Sequence, residues 1–221
     1  MPFEYPDLVM IIQSPRRDFS SIRQCLLVSV VVLGMTGCTS SDSPETSNAS
    51  AAVKSSGGMH AVIDTGKGPI EIEFLPAEAP KAVENFRLLA ERGYYDGLTF
   101  HRIVNGFMLQ GGDPSGDGTG GESAWGGTFE NEINPDSQIH RDGYRRGIVA
   151  MANAGPDTNG SQFFIMHQDY QLPPAYVIFA RVTKGLEVVD ALASTPTAMG
   201  ADGAMSRPLT PQVMKKVTIR P

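Results

Sequence analysis

The sequence predicts a mainly β domain built from eight short strands and two helices. Three observations favour it. Apolar and polar residues alternate in short runs from Met59 onward, two segments repeat with a helical period, and 41% of the residues are hydrophobic, enough for a core without disulfides. Eight such strands suit a closed antiparallel barrel, which leaves no free sheet edge. A two-layer sandwich fits the same periodicity, so periodicity alone leaves both architectures open.

Alternating runs define the strands. Residues 60–65 read HAVIDT and residues 69–74 read PIEIEF, with a hairpin signal, Gly66-Lys67-Gly68, between them. Six further runs have the length and composition of strands: residues 98–103, 107–111, 147–151, 163–165, 176–182 and 213–219.

Two segments have the pattern of amphipathic helices. The first runs from Glu78 to Arg92, with Pro80 at a first-turn position and Gly93 as a stop signal. The second runs from Leu186 to Ala193. Its predicted buried stripe consists of Leu186, Val189 and Leu192.

Residues 1–37 are predicted to be a signal or leader segment. From Cys25 to Met35 the chain reads CLLVSVVVLGM, an apolar run that is shorter than the roughly 20 residues needed to span a bilayer. Arginines precede the run, as they do in a secretory signal. The segment is therefore interpreted as a targeting signal and not as part of the folded core.

The end of this run, Met35-Thr36-Gly37-Cys38, resembles the lipobox of bacterial lipoproteins. The resemblance implies cleavage before Cys38 and attachment of lipid to that cysteine. We therefore expect an exported protein, lipid-anchored to the outer side of a bacterial membrane at the cell surface or in the periplasm. An ordinary signal with a chance cysteine, or an uncleaved anchor, is the alternative.

Residues 38–58 are predicted to be a flexible tether. After Cys38 they read TSSDSPETSNASAAVKSSGG, which contains no aromatic residue and no periodic apolar face. Such a segment cannot offset the entropy of ordering. The folded domain is then residues 59–221.

Charge and cysteine content exclude several functions. The net charge is −6, and the leader contributes none of it, because its three arginines match three acids. An acidic domain is a poor ligand for nucleic acid or an anionic membrane surface. We therefore expect no nucleic-acid partner, and membrane contact through the lipid anchor only.

Both cysteines precede residue 40, which excludes thiol chemistry in the domain. The four histidines lack ligand spacing, so we expect no metal site.

Two motifs point to one family. Residues 100–113 read FHRIVNGFMLQGGD, and residues 151–165 read MANAGPDTNGSQFFI. Together they resemble the cyclophilin family of peptidyl-prolyl cis/trans isomerases, and the resemblance covers residues 59–221. It implies a closed eight-stranded antiparallel barrel with an α-helix capping each open end and a substrate groove on the outer face. We expect no cofactor and a monomer.

Arg102 and Gln110 are the predicted centre of the chemistry. Amide resonance opposes rotation of an X-Pro bond with a barrier of about 18 to 20 kcal/mol, and at the twist the prolyl nitrogen becomes an acceptor. Arg102 fits the donor because a guanidinium is always charged, and Gln110 fits the acceptor that orients it. A three-residue loop, Val104-Asn105-Gly106, with Gly106 left-handed, would place Arg102 opposite Met108, with Gln110 on the same face.

The resemblance places a proline pocket beside this pair. It implies that Phe107, Met108, Phe164 and Leu172 line the pocket. A regular hairpin cannot bring Phe107 and Gln110 to one face, so we expect a bulge or twist near Phe107.

The resemblance also implies a third catalytic residue, Asn153, whose backbone binds the substrate residue that precedes proline. Ala152 and Ala154 flank it in the sequence. The remaining predicted substrate-binding residues are Gln162 and Tyr176.

Three other sequence features do not indicate a catalytic or cofactor site. Residues 116–121, GDGTGG, match a dinucleotide-binding pattern, but no strand leads into them and no helix follows. Ser161 does not lie in a nucleophile elbow. His101 is adjacent to Arg102, and we expect it to be structural and to point to the opposite face.

The expected function is that of a peptidyl-prolyl cis/trans isomerase, which forms no covalent intermediate. Its partners would be proline-containing unfolded or flexible polypeptides that are exported, and it would assist their folding. A proline-binding chaperone or scaffold with incidental isomerase activity is the alternative. A structural lipoprotein of the cell envelope is disfavoured by the set Arg102, Gln110 and Asn153.

Overall fold

The computed structural model describes residues 58–221. The predicted leader at 1–37, the lipobox with Cys38, and all of the predicted tether except Gly58 lie outside the described residues. Between Gly58 and Pro221, no helix has both the length and the apolar character needed to cross a membrane.

Eight strands form one antiparallel sheet, in the order β10-β1-β2-β7-β5-β6-β4-β3. The strands are β1 (His60–Thr65), β2 (Gly68–Phe74), β3 (Arg102–Val104), β4 (Met108–Gly111), β5 (Ile148–Met151), β6 (Phe163–Met166), β7 (Ile178–Lys184) and β10 (Met214–Arg220). The prediction of an eight-stranded antiparallel architecture is therefore confirmed, and each strand overlaps one of the eight predicted strand segments.

The prediction of a closed barrel is wrong, because the sheet is curled but open. Its edge strands, β3 and β10, form no ladder with each other. The chain segments just before them do meet, through an isolated bridge between Thr99 and Val213. Phe100 N–H also donates to the Gln212 carbonyl at 2.9 Å. β3 has only three residues, so it ends before a ladder can develop.

Three helices accompany the sheet within residues 58–221. α1 (Pro80–Glu91) lies inside the predicted range and begins with its proline, and α3 (Leu186–Ala193) has the predicted bounds. α2 (Gln138–Asp142) is a five-residue helix that the sequence does not predict. Ser137 caps α2, its hydroxyl accepting the backbone N–H of His140.

A second sheet, which the sequence does not predict either, is the hairpin of β8 (Thr197–Met199) and β9 (Met205–Pro208). Its turn is closed by Gly200 N–H, which donates to the Ala204 carbonyl at 2.7 Å. β9 packs beside β3. The hairpin therefore stands next to the strand that begins with Arg102.

Alternation along the strands produces two apolar clusters, one on each face of the sheet. On β6, Phe163 and Ile165 belong to the inner cluster, whereas Phe164 and Met166 belong to the outer one. The inner cluster is the core, centred on Phe86. The ring centroid of Phe86 lies within 4.8 to 5.4 Å of those of Tyr95, Phe163 and Phe179.

Candidate active site

The β3–β4 hairpin positions the two polar residues that the sequence singles out. Arg102 pairs with Gln110, and Val104 pairs with Met108. The loop therefore consists of Asn105, Gly106 and Phe107, one residue later than predicted. Arg102 faces Gln110 and not Met108, although all three still lie on one face. The backbone of Gly106 is left-handed as expected, with φ of 82°.

Phe107 reaches the same face without a bulge. The β3–β4 register continues without a shift, and Phe107 is the last residue of the turn, where side chains need not alternate. A hydrogen bond to the residue after β6 fixes the loop, because Gly106 N–H donates to Nδ1 of His167 at 2.9 Å. Of the expected bulge or twist, the bulge is therefore wrong, and the loop's position explains the placement of the ring.

The Arg102 side chain is held on three sides. Its Nε donates to Oδ2 of Asp202 at 2.7 Å, and its Nη1 lies 3.7 Å from Sδ of Met108. Its Cζ lies 5.9 Å from the centre of the Phe107 ring, within range of a cation–π contact. Only 10% of the side chain is exposed. Nothing in the sequence indicates that Asp202 lies here.

Asp202 is itself fixed by the β8–β9 hairpin. Its Oδ1 accepts from the hydroxyl of Ser206 at 2.7 Å and from the N–H of Ala204 at 3.1 Å. Burial favours the neutral carboxyl, but hydrogen bonds from Arg102, Ser206 and Ala204 outweigh it and hold the pKa of Asp202 below its ordinary value. Asp202 is therefore ionised at neutral pH.

Gln110 is linked to the glycine-rich loop instead of to Arg102. Its Nε2 donates to Oε1 of Gln162 at 2.9 Å. Nε2 of Gln162 donates in turn to the carbonyls of Gly118 at 3.1 Å and Gly120 at 2.8 Å. The expected hydrogen bond from the Arg102 guanidinium to Gln110 is not formed between these described residues.

Two buried polar atoms of this pair have no hydrogen-bond partner in the described part of the chain. They are Nη2 of Arg102 and Oε1 of Gln110. An unsatisfied buried polar group costs about 1 to 3 kcal/mol. The pair therefore retains one donor and one acceptor that could serve each other or a ligand.

The glycine-rich loop is organised around Asp113 and not around a phosphate site. The Asp113 carboxylate accepts the backbone N–H groups of Ser115 at 2.9 Å, Asp117 at 3.1 Å and Gly118 at 2.6 Å. These bonds occupy the N–H groups that a dinucleotide site would need. The resemblance of residues 116–121 to such a site is therefore coincidental.

The predicted proline-pocket residues come together in the outer apolar cluster. Phe107, Met108 and Phe164 are buried in it, and Leu172 packs against it half-buried. Ala152 and Tyr176, two more predicted substrate-binding residues, belong to the same cluster. A buried apolar cluster thus lies beside Arg102, on the face of the sheet opposite the core.

Tyr144 fixes the position of Tyr176 in this cluster. Its hydroxyl donates to the Tyr176 carbonyl at 2.9 Å and accepts the Tyr176 N–H at 3.0 Å. Burial raises the pKa of Tyr144 to about 12. The sequence does not single out Tyr144, because it contacts backbone atoms 32 residues away.

Asn153 follows the end of β5, and its side chain has a structural role. Its Nδ2 donates to the Ala175 carbonyl at 2.9 Å, and its Oδ1 accepts the N–H of Gly155 at 3.3 Å. Ala152 N–H donates to the Gln162 carbonyl at 2.9 Å. Through Gln162 and Gln110 the Asn153 segment is therefore connected to β4. Ala154 is exposed.

His101 does not point away from Arg102 as expected. Both residues line one cavity of about 550 Å³, together with Gln110 and Asp202. Burial lowers the pKa of His101, although Asp113 opposes the shift. Both ring nitrogens are buried without a hydrogen-bond partner in the described residues. Both observations favour a neutral imidazole at neutral pH.

Neither a serine nucleophile nor a metal centre is supported by the side chains of residues 58–221. Ser161 is fully buried, and its hydroxyl donates to the Gly112 carbonyl at 2.6 Å, as a structural serine does. The described His, Asp and Glu side chains form no group of three that could hold a metal ion.

A curled antiparallel sheet with a buried arginine beside an apolar outer face defines a protein of the prolyl-isomerase class. Comparison with known proteins agrees. Residues 60–219 match the family model described as cyclophilin type peptidyl-prolyl cis-trans isomerase. The chain belongs to this family, and the predicted enzyme class is confirmed at that level.

Relatives and solved structures give the extent of the similarity. The chain is 47% identical over 163 residues to Peptidyl-prolyl cis-trans isomerase 9 of Schizosaccharomyces pombe, and 46% identical over 162 residues to CYP18-1 of Arabidopsis thaliana. Each match covers 73% of this chain, but 25% of the yeast protein and 96% of the plant protein. A cyclophilin type isomerase of Cryptosporidium parvum, crystallised in the presence of the dipeptide Ala-Pro, matches with a TM-score of 0.66 and 37% identity, covering 73% of this chain and 99% of that one.

Proposed function

We propose that this protein accelerates the cis/trans rotation of X-Pro bonds in exported polypeptides and so assists their folding. The observation that carries the proposal is the placement of Arg102. Its cation is 10% exposed and lies beside the Phe107 ring at the edge of the outer apolar cluster. A fixed donor next to an apolar pocket is what a twisted prolyl amide requires.

In this mechanism the proline ring occupies the outer apolar cluster, and an Nη group of Arg102 donates to the prolyl nitrogen as its lone pair is freed. The backbone of Asn153 holds the residue before proline, so that one side of the amide stays fixed while the other turns. No bond forms between protein and substrate. The reaction therefore needs no covalent intermediate and no cofactor.

The energies required are moderate. Shortening the exchange from about 100 s to about 1 ms is a factor of about 10⁵, or roughly 7 kcal/mol. One preorganised donor contributes about 3 to 4 kcal/mol, judging from oxyanion-hole deletions. Desolvation in the apolar pocket and clamping of the backbone supply the remainder.

The isomerase proposal is tested with the full-length protein by exchange NMR on a proline peptide. Arg102→Ala should lower kcat/KM by about 10² to 10³, the effect of losing one preorganised donor. The matched control is Arg181→Ala, since Arg181 is 57% exposed and paired with Glu73 on the sheet surface. Equal rates for Arg102→Ala and wild type would refute the mechanism. Peptide binding without catalysis in the wild type would favour a binding scaffold.

The proposal also includes the location of the enzyme. We infer that Cys38 carries lipid and holds a monomeric domain on the outer side of a bacterial membrane, with the anchor as its only membrane contact. The support is the apolar run and lipobox-like end of the leader, in sequence alone. A fatty-acid probe should label the wild type and not Cys38→Ser. Equal labelling of both would refute the anchor.

A further inference from the structure

The carboxylate of Asp202 divides its two oxygens between two different partners. Oδ2 accepts the Nε–H of Arg102 at 2.7 Å, while Oδ1 accepts the Ser206 hydroxyl and the Ala204 N–H. A carboxylate that competed for the guanidinium would bind it with both oxygens, in the fork geometry that arginine favours. Here the second oxygen is committed to the hairpin, so the Nη groups are left to other ligands.

The hairpin is built around this arrangement. A Cβ on Gly200 would lie 2.2 Å from Oγ of Ser206 and 2.7 Å from Oδ1 of Asp202. Only glycine lets the turn fold closely enough for these side chains to meet. Asp202 is thus placed by its own turn, independently of Arg102.

The ion pair also suits the burial of the cation. The side chains of Arg102 and Asp202 are 10% and 14% exposed. A buried cation without a counter-charge is costly, and its side chain turns toward solvent when it can. Asp202 keeps the guanidinium in place over Phe107, while Met108 flanks Nη1.

From this geometry we propose that Asp202 is a positioning residue for the isomerase reaction, fixing Arg102 through Nε so that its Nη groups are presented to the prolyl nitrogen. The proposal rests on the proposed function, in which Arg102 is the donor. Asp202 acts through Arg102 and has no contact with the substrate. Catalysis then depends on the β8–β9 hairpin as well as on β3 and β4.

Three full-length variants test the proposal by exchange NMR. Asp202→Ala should lower kcat about tenfold and change KM less than twofold, because the donor becomes mobile while the proline pocket is intact. Asp202→Asn keeps an acceptor for Nε and should recover about half of that loss on a logarithmic scale. Gly200→Ala keeps the carboxylate but displaces it, and should resemble Asp202→Ala.

The matched control is Asp64→Asn, which removes one exposed carboxylate from β1, a strand that pairs with β2 and β10 and carries no residue of the candidate site. It should retain the wild-type rate. An Asp202→Ala protein as fast as wild type, or faster, would overturn the proposal, the latter because Asp202 would then be a competitor for the donor. If Arg102→Ala is slow but Asp202→Ala is normal, only the positioning role fails.

A measurement on the wild type keeps the proposal falsifiable even if a variant does not fold. The Nε–H of Arg102 should give a resolved NMR signal that exchanges with water at least tenfold more slowly than those of exposed arginines, because it is hydrogen-bonded and buried. Exchange as fast as that of exposed arginines would show that the ion pair does not persist in solution, and would overturn the proposal.

Discussion

Arg102 and Gln110 lie directly opposite each other in the β3–β4 ladder, yet each directs a hydrogen bond elsewhere. Arg102 donates to Asp202, and Gln110 donates to Gln162. Nη2 of Arg102 and Oε1 of Gln110 remain without a partner in the described residues. Gln110 therefore connects β4 to the glycine-rich loop, while a second hairpin supports Arg102.

Replacing Gln110 should test whether this connection supports catalysis. Gln110→Met keeps the volume of the side chain but removes its bond to Gln162, whose Nε2 holds the carbonyls of Gly118 and Gly120. We expect kcat/KM to fall about tenfold, with the free energy of unfolding lowered by about 1 to 2 kcal/mol. Exchange NMR and urea unfolding measure the two effects. An unchanged kcat/KM would limit Gln110 to a structural role.

The sequence predicts those parts of the fold that follow from local patterns. β1 and β2 alternate in burial, β5 and β6 are short continuous apolar runs, and α1 and α3 have helical period with punctuation. β8, β9 and α2 are short and largely exposed, so no buried face marks them. Closure depends on long-range register at β3 and β10, which local patterns do not encode.

In the candidate site, too, local patterns predict some features, whereas others depend on contacts between distant parts of the sequence. Alternation and a glycine turn suffice to bring Arg102, Met108 and Gln110 to one face. The partner of Arg102 lies 100 residues further on, in a turn whose Asp202-Gly203 signal shows that the chain reverses but not where it packs. Ion pairs of this kind become visible only in the folded chain.

The isomerase rate should be nearly constant between about pH 6 and 8. A guanidinium group stays protonated throughout this range. Burial lowers the pKa of His101 below its ordinary value, which favours the neutral imidazole in this range. Exchange NMR across the range checks this expectation. A rate that follows a single protonation with a midpoint between pH 6 and 7 would implicate His101 in the chemistry.

Stability, in contrast, should fall with acid below about pH 6.5. Burial lowers the folded-state pKa values of His101, His140 and His167, so the unfolded chain binds protons more readily than the folded one. Unfolding is then favoured as pH falls through the unfolded pKa of about 6.5, and stability is fully present above it. Urea unfolding at pH 7.5 and 5.5 measures the difference.

His101→Gln is the matched variant for the stability measurement, because it removes the titration of a ring whose two nitrogens are both buried without a hydrogen-bond partner in the described residues. Its dependence on pH should be shallower than that of the wild type, by up to about 1.4 kcal/mol for each pH unit below the unfolded pKa. Identical slopes for the two proteins would show that His101 titrates normally in the folded state.

The inner core should be most sensitive at Phe86, which is fully buried among Tyr95, Phe163 and Phe179. Phe86→Ala should lower the free energy of unfolding by about 3 to 5 kcal/mol, through lost burial and a cavity. Leu209→Ala, at a side chain with 64% exposure, should change it by less than about 0.5 kcal/mol. Similar losses in urea unfolding for both variants would contradict this placement of the core.

The outer cluster should respond differently to the loss of one hydroxyl. Tyr144→Phe removes both hydrogen bonds to the Tyr176 backbone, so the segment that carries Tyr176 at the pocket is loosened. We expect KM for a proline peptide to rise about threefold to tenfold with kcat nearly unchanged, because Arg102 and its supports are untouched. The free energy of unfolding should fall by about 1 to 2 kcal/mol.

Tyr170→Phe is the control for Tyr144→Phe. The Tyr170 ring contacts Phe107 at a centroid distance of 4.4 Å, and no hydrogen bond of its hydroxyl is found in the described residues. A lower kcat with unchanged KM in Tyr144→Phe would instead place Tyr176 in the chemical step, and equal effects in the two variants would show that neither hydroxyl shapes the pocket.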